Sequence, residues 1–493
     1  MHPNRYYQDD ILNQQRLLLP EKKALLVQAP TGSGKSHIIN CTAIENIAQG
    51  KTVLVLSETA DIYDQLVIEC SGIEINSEVK HRYIEPGKCY VAMAQTLVKR
   101  PKIIEQLTAL GEDLIVLNDE AHIGTTTKLI KILKESALLI GYSATPSYNW
   151  AKFLPDLYND IIVGPQVDEL IRNGHLCNYR HIARTKGGLN ELLLRGADYS
   201  EESQERVFGA TGMYKGVFED LRSIPFKKCI IFTASIKACG EMLEKLLEEG
   251  FAACQYHSEV PNKKYQMARF TTLHECNIIV SVASLTKGWD FKPIDLVVLY
   301  RKTTSLPLYL QMLGRASRVI AGIKEFFITL DYGENYKDHQ TYFYDRDWQT
   351  DWNTPKKKKR SSGKEDASGF KVCINCDSII PTSARRCSYC DFELPLTPQQ
   401  LQEGELIDIT EKYHELKGRS ISTLNPEELA NYAKLKNKKP YAIRIAKAQE
   451  QMFEGFLPRF AAAMGYKKTW LDLQLDAVKS SDEIIEFMDQ ILI

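Results

Sequence analysis

The sequence predicts an α/β fold: two tandem domains, each a parallel sheet covered by helices, then a small cysteine module and a helical C-terminal region. Three observations predict it. Short, near-continuous apolar runs alternate with helical patterns through the first third of the chain, as in parallel sheets buried on both faces. After a weakly periodic stretch the same alternation starts again. Beyond residue 345 it stops, a basic run and a cysteine cluster intervene, and from about 396 Leu, Ala, Glu and Lys dominate.

Taken in order, K-A-L-L-V-Q-A-P (Lys23 to Pro30) reads as a buried strand entering a glycine-rich turn, and the helical stretch after it stops at Gly50. T-V-L-V-L-S (Thr52 to Ser57), C-Y-V-A-M-A (Cys89 to Ala94), L-I-V-L-N-D (Leu114 to Asp119) and L-L-I-G-Y-S (Leu138 to Ser143) are the next strands. The second set begins with K-C-I-I-F-T (Lys228 to Thr233) and a helix ending near Gly250. It continues with strands near Cys254, Asn277 to Ser281, Leu296 to Tyr300 and Phe326 to Leu330. The resulting division is 1–164 for the first α/β domain, 165–212 for a connector and 213–345 for the second α/β domain. A basic linker (346–372), the cysteine module (373–394) and a helical domain (395–493) follow.

The 493 residues are 44 % hydrophobic and 25 % charged, the mix of an ordinary globular chain of several domains. A net charge of −1 leaves any nucleic-acid contact to local patches rather than to a global field. No apolar run reaches the 18 residues of a membrane span, and M-H-P-N-R-Y-Y-Q-D-D at the N-terminus has no leader pattern. An intracellular, cytoplasmic protein without membrane contact is expected. Eight cysteines are scattered on apolar segments and read as small core residues in a reducing compartment.

A-P-T-G-S-G-K-S, Ala29 to Ser36, lies between a strand and a helix, the context of a phosphate-binding loop. Thr31, Gly32, Ser33 and Gly34 let backbone N–H groups turn inward around a phosphate, and the helix N-terminus adds partial positive charge. Lys35 reaches the β- and γ-phosphates of ATP, and Ser36 places its hydroxyl on Mg²⁺. Ala29 replaces the usual first glycine.

N-D-E-A-H, Asn118 to His122, ends a strand, and the carboxyl ends of parallel strands face the ligand crevice. Asp119 is the candidate Mg²⁺ ligand and Glu120 the base that polarises the attacking water. In Q-M-L-G-R-A-S-R, Gln311 to Arg318, two arginines three residues apart share a helical face. Such guanidinium groups stabilise a transferring γ-phosphate when one domain closes on the other.

With these motifs the chain resembles the superfamily 2 helicases of the Asp-Glu-Ala-His type over about residues 1 to 345. The resemblance implies two RecA-like domains and an ATP-driven nucleic-acid motor. It implies that Arg5 to Gln8 form an adenine-reading element, with Gln8 on the base edge. It implies that Ser143 to Thr145, with His122, couple hydrolysis to domain movement. Gln95 to Leu97 and Ile230 to Ser235 resemble strand-contacting motifs. Leu285 to Asp290 resemble the glycine–aspartate motif, placing Gly288 and Asp290 among nucleotide-site residues. Gln311, Arg315 and Arg318 fill the final motif. Glu58 and Trp289 depart from the family pattern.

C-I-N-C and C-S-Y-C place Cys373, Cys376, Cys387 and Cys390 in a C-x2-C-x10-C-x2-C pattern. Four thiolates suit a structural, tetrahedral Zn²⁺ that supplies the folding energy of so short a module; an iron–sulfur cluster is the alternative. The layout of ribbon and helical tail resembles small bacteriophage-encoded helicases. K-K-K-K-R (Lys356 to Arg360) either neutralises phosphates or serves as a solvated tether.

The leading expectation is an ATP-, Mg²⁺- and Zn²⁺-dependent DNA helicase or translocase acting on forked or branched DNA, with replication or recombination proteins as partners. The alternatives are an RNA helicase, a motor working with a separate nuclease, and a zinc-dependent scaffold whose ATPase has decayed.

Overall fold

The computed structural model describes residues 3–58, 60–77, 83–146, 154–184, 189–209, 211–282, 285, 291–353, 370–372, 375, 379–381, 386, 390, 406–410, 423–435 and 439–479. A helix, Tyr6–Lys22, leads into the first domain. Its strands are β1 (Ala24–Gln28), β2 (Thr52–Ser57), β3 (Ile73–Ile75), β4 (Cys89–Met93), β5 (Leu114–Asn118), β6 (Leu138–Ser143) and β7 (Asp160–Val163). They form one sheet in the order β3-β4-β2-β5-β6-β1-β7, with every pairing parallel. β1, β2, β5 and β6 are buried along their whole length, which is why they read as unbroken apolar runs. Ile11, Ile38 and Leu66 cover one face, while Leu97, Leu107 and Leu133 cover the other. Each such fully buried side chain contributes about 1.5–3 kcal/mol.

Close packing sets the end of β5. Gly141 on β6 admits the Tyr158 ring, where a Cβ would meet ring atoms at 2.4 Å. Tyr158 OH accepts a hydrogen bond from Asn118 Nδ2 at 3.0 Å, fixing the residue just before Asp119.

The second domain begins with β8 (Asn178–Arg184) and a two-strand hairpin, β9 (Leu194–Arg195) with β10 (Asp198–Tyr199). β11 (Cys229–Thr233), β12 (Ala253–Tyr256), β13 (Ile278–Ser281), β14 (Leu296–Tyr300) and β15 (Phe326–Asp331) follow. A second hairpin pairs β16 (Phe370–Val372) with β17 (Ile379–Pro381), and β18 (Leu406–Asp408) comes last. The second large sheet runs β12-β13-β11-β14-β15-β8-β18. All of its pairs are parallel except β18 with β8. The stretch 165–212, expected to connect the domains, thus lends β8 to the second sheet, and β18 reaches that sheet from the stretch expected to be helical.

The helices Pro426–Leu435, Lys439–Met452, Phe456–Met464 and Lys468–Lys479 form the C-terminal body, packed around Leu429, Ile445, Phe460 and Trp470. Among the described residues no helix is long and apolar enough to cross a membrane.

Candidate active site

The glycine-rich turn follows β1 and opens the helix Lys35–Ala48, whose first N–H groups face an incoming anion. Gly32 and Gly34 sit at φ +86° and +87°, the left-handed region that glycine enters freely. A Cβ on Gly34 would meet Gln8 Nε2 at 2.6 Å, and one on Gly32 would meet Leu176 Cδ2 at 2.9 Å. The turn is held from behind at Ser33, whose carbonyl accepts from Tyr7 OH at 2.6 Å and Gln8 Nε2 at 3.1 Å. Gln8 Oε1 accepts from the Arg5 backbone N–H at 2.9 Å. The Gln8 amide thus holds the loop with its Nε2 and caps its own helix with its Oε1, whereas Arg5 lines the cavity directly.

Asp119 and Glu120 follow β5. Lys35 Nζ lies 2.6 Å from Glu120 Oε1 and 3.0 Å from Asp119 Oδ1. Burial opposes the Lys35 charge, but the two carboxylates outweigh it and hold the ammonium above the ordinary lysine range. Burial raises the Asp119 carboxyl against the pull of Lys35, and the Glu120 charge adds to the rise. Glu120 itself adopts φ +47°, an uncommon conformation for a residue with a side chain, and one that stores strain at the site.

A second contact chain leaves the same carboxylate. His122 Nδ1 is 3.3 Å from Glu120 Oε2 and 2.9 Å from Ser143 Oγ. Ser143 Oγ also accepts from the Thr145 backbone N–H at 3.0 Å. His122, Ser143 and Thr145, singled out together by their motifs, are thus one connected unit at the ends of β5 and β6.

The facing wall belongs to the second domain. A Cβ on Gly314 would meet Thr31 Cγ2 at 2.5 Å, so the two domains touch at the loop itself. The Cys177 N–H donates to Ser317 O at 2.7 Å, and Leu176 bridges to Arg318. Between the walls is a cavity of about 690 Å³ lined by Lys35, Asp119, Glu120, Gln311, Arg315 and Arg318. Thr31, Gly32, Gly34 and Ser36 border it as well, while Ser33 is fully buried beneath the loop. That volume suits a small-molecule ligand. Arg315 is buried, and burial pushes its guanidinium down to about 10 against the pull of Glu120, so it stays charged at neutral pH.

His175, Lys292 and Glu69 also line the cavity and were not anticipated. His175 follows Gly174, at φ +69°, and its ring lies 5.7 Å from that of Tyr7. The one available signal was a Gly-His pair closing the helical pattern of Val167–Arg172. Of the strand-contacting motifs, Gln95 is exposed at the end of β4. Ser235 caps the helix after β11 by accepting from the Ala238 N–H at 3.1 Å. Gly288 and Asp290 lie outside the described residues.

So do Cys373, Cys376 and Cys387. Among the described residues no cluster of His, Cys, Asp and Glu is arranged to hold a metal ion. Cys390 is buried in the C-terminal body, and its sulfur accepts from Asn375 Nδ2 at 3.4 Å.

Comparison with known proteins bears on the family and the fold. Residues 1–148 match the family model described as "Type III restriction enzyme, res subunit", and residues 216–320 match "Helicase conserved C-terminal domain". The chain is 24 % identical over 394 residues to the 51.5 kDa protein of a Lactococcus phage, covering 78 % of this chain and 82 % of that one. It is 23 % identical over 320 residues to the ATP-dependent RNA helicase eIF4A of Kluyveromyces lactis, covering 62 % and 77 %. The fold is similar to a fragment assigned to the HsdR subunit of a type I restriction enzyme from Vibrio vulnificus. That match has a TM-score of 0.54 and 21 % identity over 70 % of this chain and 67 % of that one.

Proposed function

The chain belongs to the superfamily 2 helicases, ATP-hydrolysing motors on nucleic acid, and on that premise we propose a DNA helicase or translocase of the Asp-Glu-Ala-His type. Its substrate is forked or branched DNA, in replication, recombination or repair. One observation carries the motor reading: Lys35 and Glu120 of the first domain share a cavity with Arg315 and Arg318 of the second. ATP bound there bridges both domains, so each turnover closes and reopens the cleft.

The residues divide the work as follows. The loop N–H groups and Lys35 hold the phosphates. Ser36 and Asp119 would hold magnesium; two buried carboxylates against one ammonium leave a net negative charge that suits a divalent cation. Magnesium bound there neutralises phosphate charge. Glu120 takes a proton from the water that attacks the γ-phosphorus. The new P–O bond forms as the bond to the β–γ bridging oxygen breaks, and the electron pair leaves on ADP. Arg315 and Arg318 stabilise the charge of the transferring phosphoryl group. His122 and Ser143 carry the change at Glu120 to Thr145 and the end of β6.

The restriction-type match over residues 1–148 supports DNA. The likeness to eIF4A favours an RNA helicase as the second reading, and the restriction-enzyme likenesses favour a motor partnered with a separate nuclease. Zinc on Cys373, Cys376, Cys387 and Cys390 is supported by Asn375. This residue lies between the first two cysteines and hydrogen-bonds the sulfur of the fourth. ATPase rates with single-stranded DNA, forked DNA and RNA separate the readings. The expected order is forked DNA first and RNA last, and stimulation by RNA alone overturns the choice of DNA.

A further inference from the structure

Lys324 has no part in the mechanism above, yet its ammonium is buried and fully engaged. Nζ donates to Ala316 O at 2.6 Å, Arg318 O at 2.9 Å and Lys292 O at 2.9 Å. Three N–H donors meet three carbonyls, the whole capacity of the group. The acceptors are not arbitrary. The helix Leu306–Gly314 is capped at Arg315, and Ala316 and Arg318 lie in the turn just past that cap, where no further helical turn supplies donors to their carbonyls. A cation at a helix C-terminus supplies donors and favourable charge together. Ala316 and Arg318 belong to the segment that carries both cavity arginines, and Lys292 lines the same cavity. Cys177 braces the same segment beside Lys324, its N–H on Ser317 O at 2.7 Å and its thiol on Arg318 O at 3.2 Å.

We propose that Lys324 is a positioning residue for ATP hydrolysis: through the carbonyls of Ala316, Arg318 and Lys292 it fixes the loop that presents Arg315 and Arg318 to the γ-phosphate. This rests on the reading that the two arginines stabilise the transferring phosphoryl group. The clamp depends on charge. Burial pushes the Lys324 ammonium down to about 8, with Cys177 and Asp295 supporting its charge and Arg318 opposing it. Below that pH three N–H donors serve three carbonyls. Above it the neutral amine keeps two and turns a lone pair toward the third, so the loop loosens as pH rises.

The test compares the full chain with Lys324→Met, Lys324→Arg and Arg318→Ala, measuring DNA-stimulated kcat and KM for ATP from mildly acidic to alkaline pH. Arg318→Ala is expected to lower kcat; if it turns over like the wild type, the reading of the arginines fails, whatever Lys324 does. Lys324→Met is expected to lower kcat by about 10–100-fold with little change in KM, because misplacing a stabilising group costs turnover more than binding. The wild type is expected to lose kcat as pH rises through about 8. Lys324→Arg, charged throughout, is expected to restore kcat and abolish that alkaline decline. Wild-type kcat in Lys324→Met, with Arg318→Ala impaired, overturns the proposal. Should Lys324→Met fail to fold, the pH profiles of the wild type and Lys324→Arg decide, and an identical alkaline decline in both overturns it.

Discussion

Lys35 Nζ stands 2.6 Å from Glu120 Oε1 and 3.0 Å from Asp119 Oδ1, so one ammonium holds both carboxylates at the end of β5. On the proposed mechanism, ATP phosphates would compete for that ammonium and free Glu120 to meet water. Glu120→Gln keeps the shape and a hydrogen-bond acceptor but has no base. It should bind ATP with near-normal affinity and turn over about 10²–10⁴-fold more slowly. Equilibrium binding and steady-state ATPase assays check this, and full turnover in the variant removes Glu120 as the base. Lys35→Ala leaves two buried carboxylates without their cation and should lose about 3–5 kcal/mol of stability along with ATP binding.

The His122–Ser143 contact predicts a different defect. Removing the imidazole breaks one part-buried hydrogen bond to Ser143, about 0.5–1.5 kcal/mol, and the 3.3 Å contact with Glu120 Oε2, while the Lys35–Glu120 pair is kept. His122→Ala should therefore hydrolyse ATP within a few-fold of the wild type while unwinding far less duplex per ATP. Strand displacement and phosphate release measured in one reaction give that ratio. If both fall in parallel, His122 belongs to the chemistry and not to the coupling.

Five of the seven strands of the first sheet, all but β3 and β7, and the loop were legible because the physics there is local. Strands buried on both faces are apolar throughout, and a phosphate loop needs glycine and lysine in fixed order. β8 was not legible as a strand: Asn178 and Arg180 are exposed between buried neighbours, so no apolar run marks it. Lys324 was invisible for another reason. Its three acceptors are backbone carbonyls, and carbonyls have no sequence signature. Arg315 and Arg318 were found by motif, but their meeting with Lys35 depends on how two sheets face each other, which no spacing along the chain encodes.

Gly34 tests the loop by both conformation and space. At φ +87° a side chain costs about 1–2 kcal/mol, and the new Cβ would lie 2.6 Å from Gln8 Nε2. Gly34→Ala should lower the melting temperature and weaken ATP binding together. Gly50, at φ +82° with open space around its Cβ position, gives the control. Gly50→Ala should cost stability alone. Equal ATP affinity in the two variants rules out the steric part of the argument.

Asp331 is expected to contribute to the acid limit of the second domain. Its carboxylate accepts from Asn335 Nδ2 at 2.8 Å, the Tyr336 N–H at 3.1 Å and His181 Nε2 at 3.3 Å. Burial raises the carboxyl, but His181 and the Asn335 contacts overcome it and hold it below the ordinary aspartate range. A depressed carboxyl stabilises the fold above the unfolded pKa of about 3.9, and that contribution fades as pH falls further. Asp331→Asn should cost about 1–3 kcal/mol at neutral pH and flatten the acid limb of the melting curve. An unchanged acid limb assigns the acid sensitivity to other carboxylates.

The cysteine module predicts a metal requirement separable from the motor. Asn375 links Cys390 to the C-terminal body: its amide donates to Cys390 Sγ at 3.4 Å, and its carbonyl accepts from Tyr466 OH at 3.1 Å. Tyr466 in turn lies against Trp470 at 4.2 Å between ring centroids, inside the C-terminal body. A metal held by the four thiolates would therefore tie the β16–β17 hairpin to that body. Its loss would unfold the hairpin first and loosen the packing around Trp470 second. The purified chain should carry one zinc per molecule by elemental analysis. Chelation, or Cys390→Ser, should release it and shift Trp470 fluorescence. Basal ATP hydrolysis should survive, because Lys35, Glu120 and Arg315 lie in another cavity. Iron in place of zinc would favour a cluster, and a metal-free chain with unchanged Trp470 fluorescence would assign the thiols to packing alone.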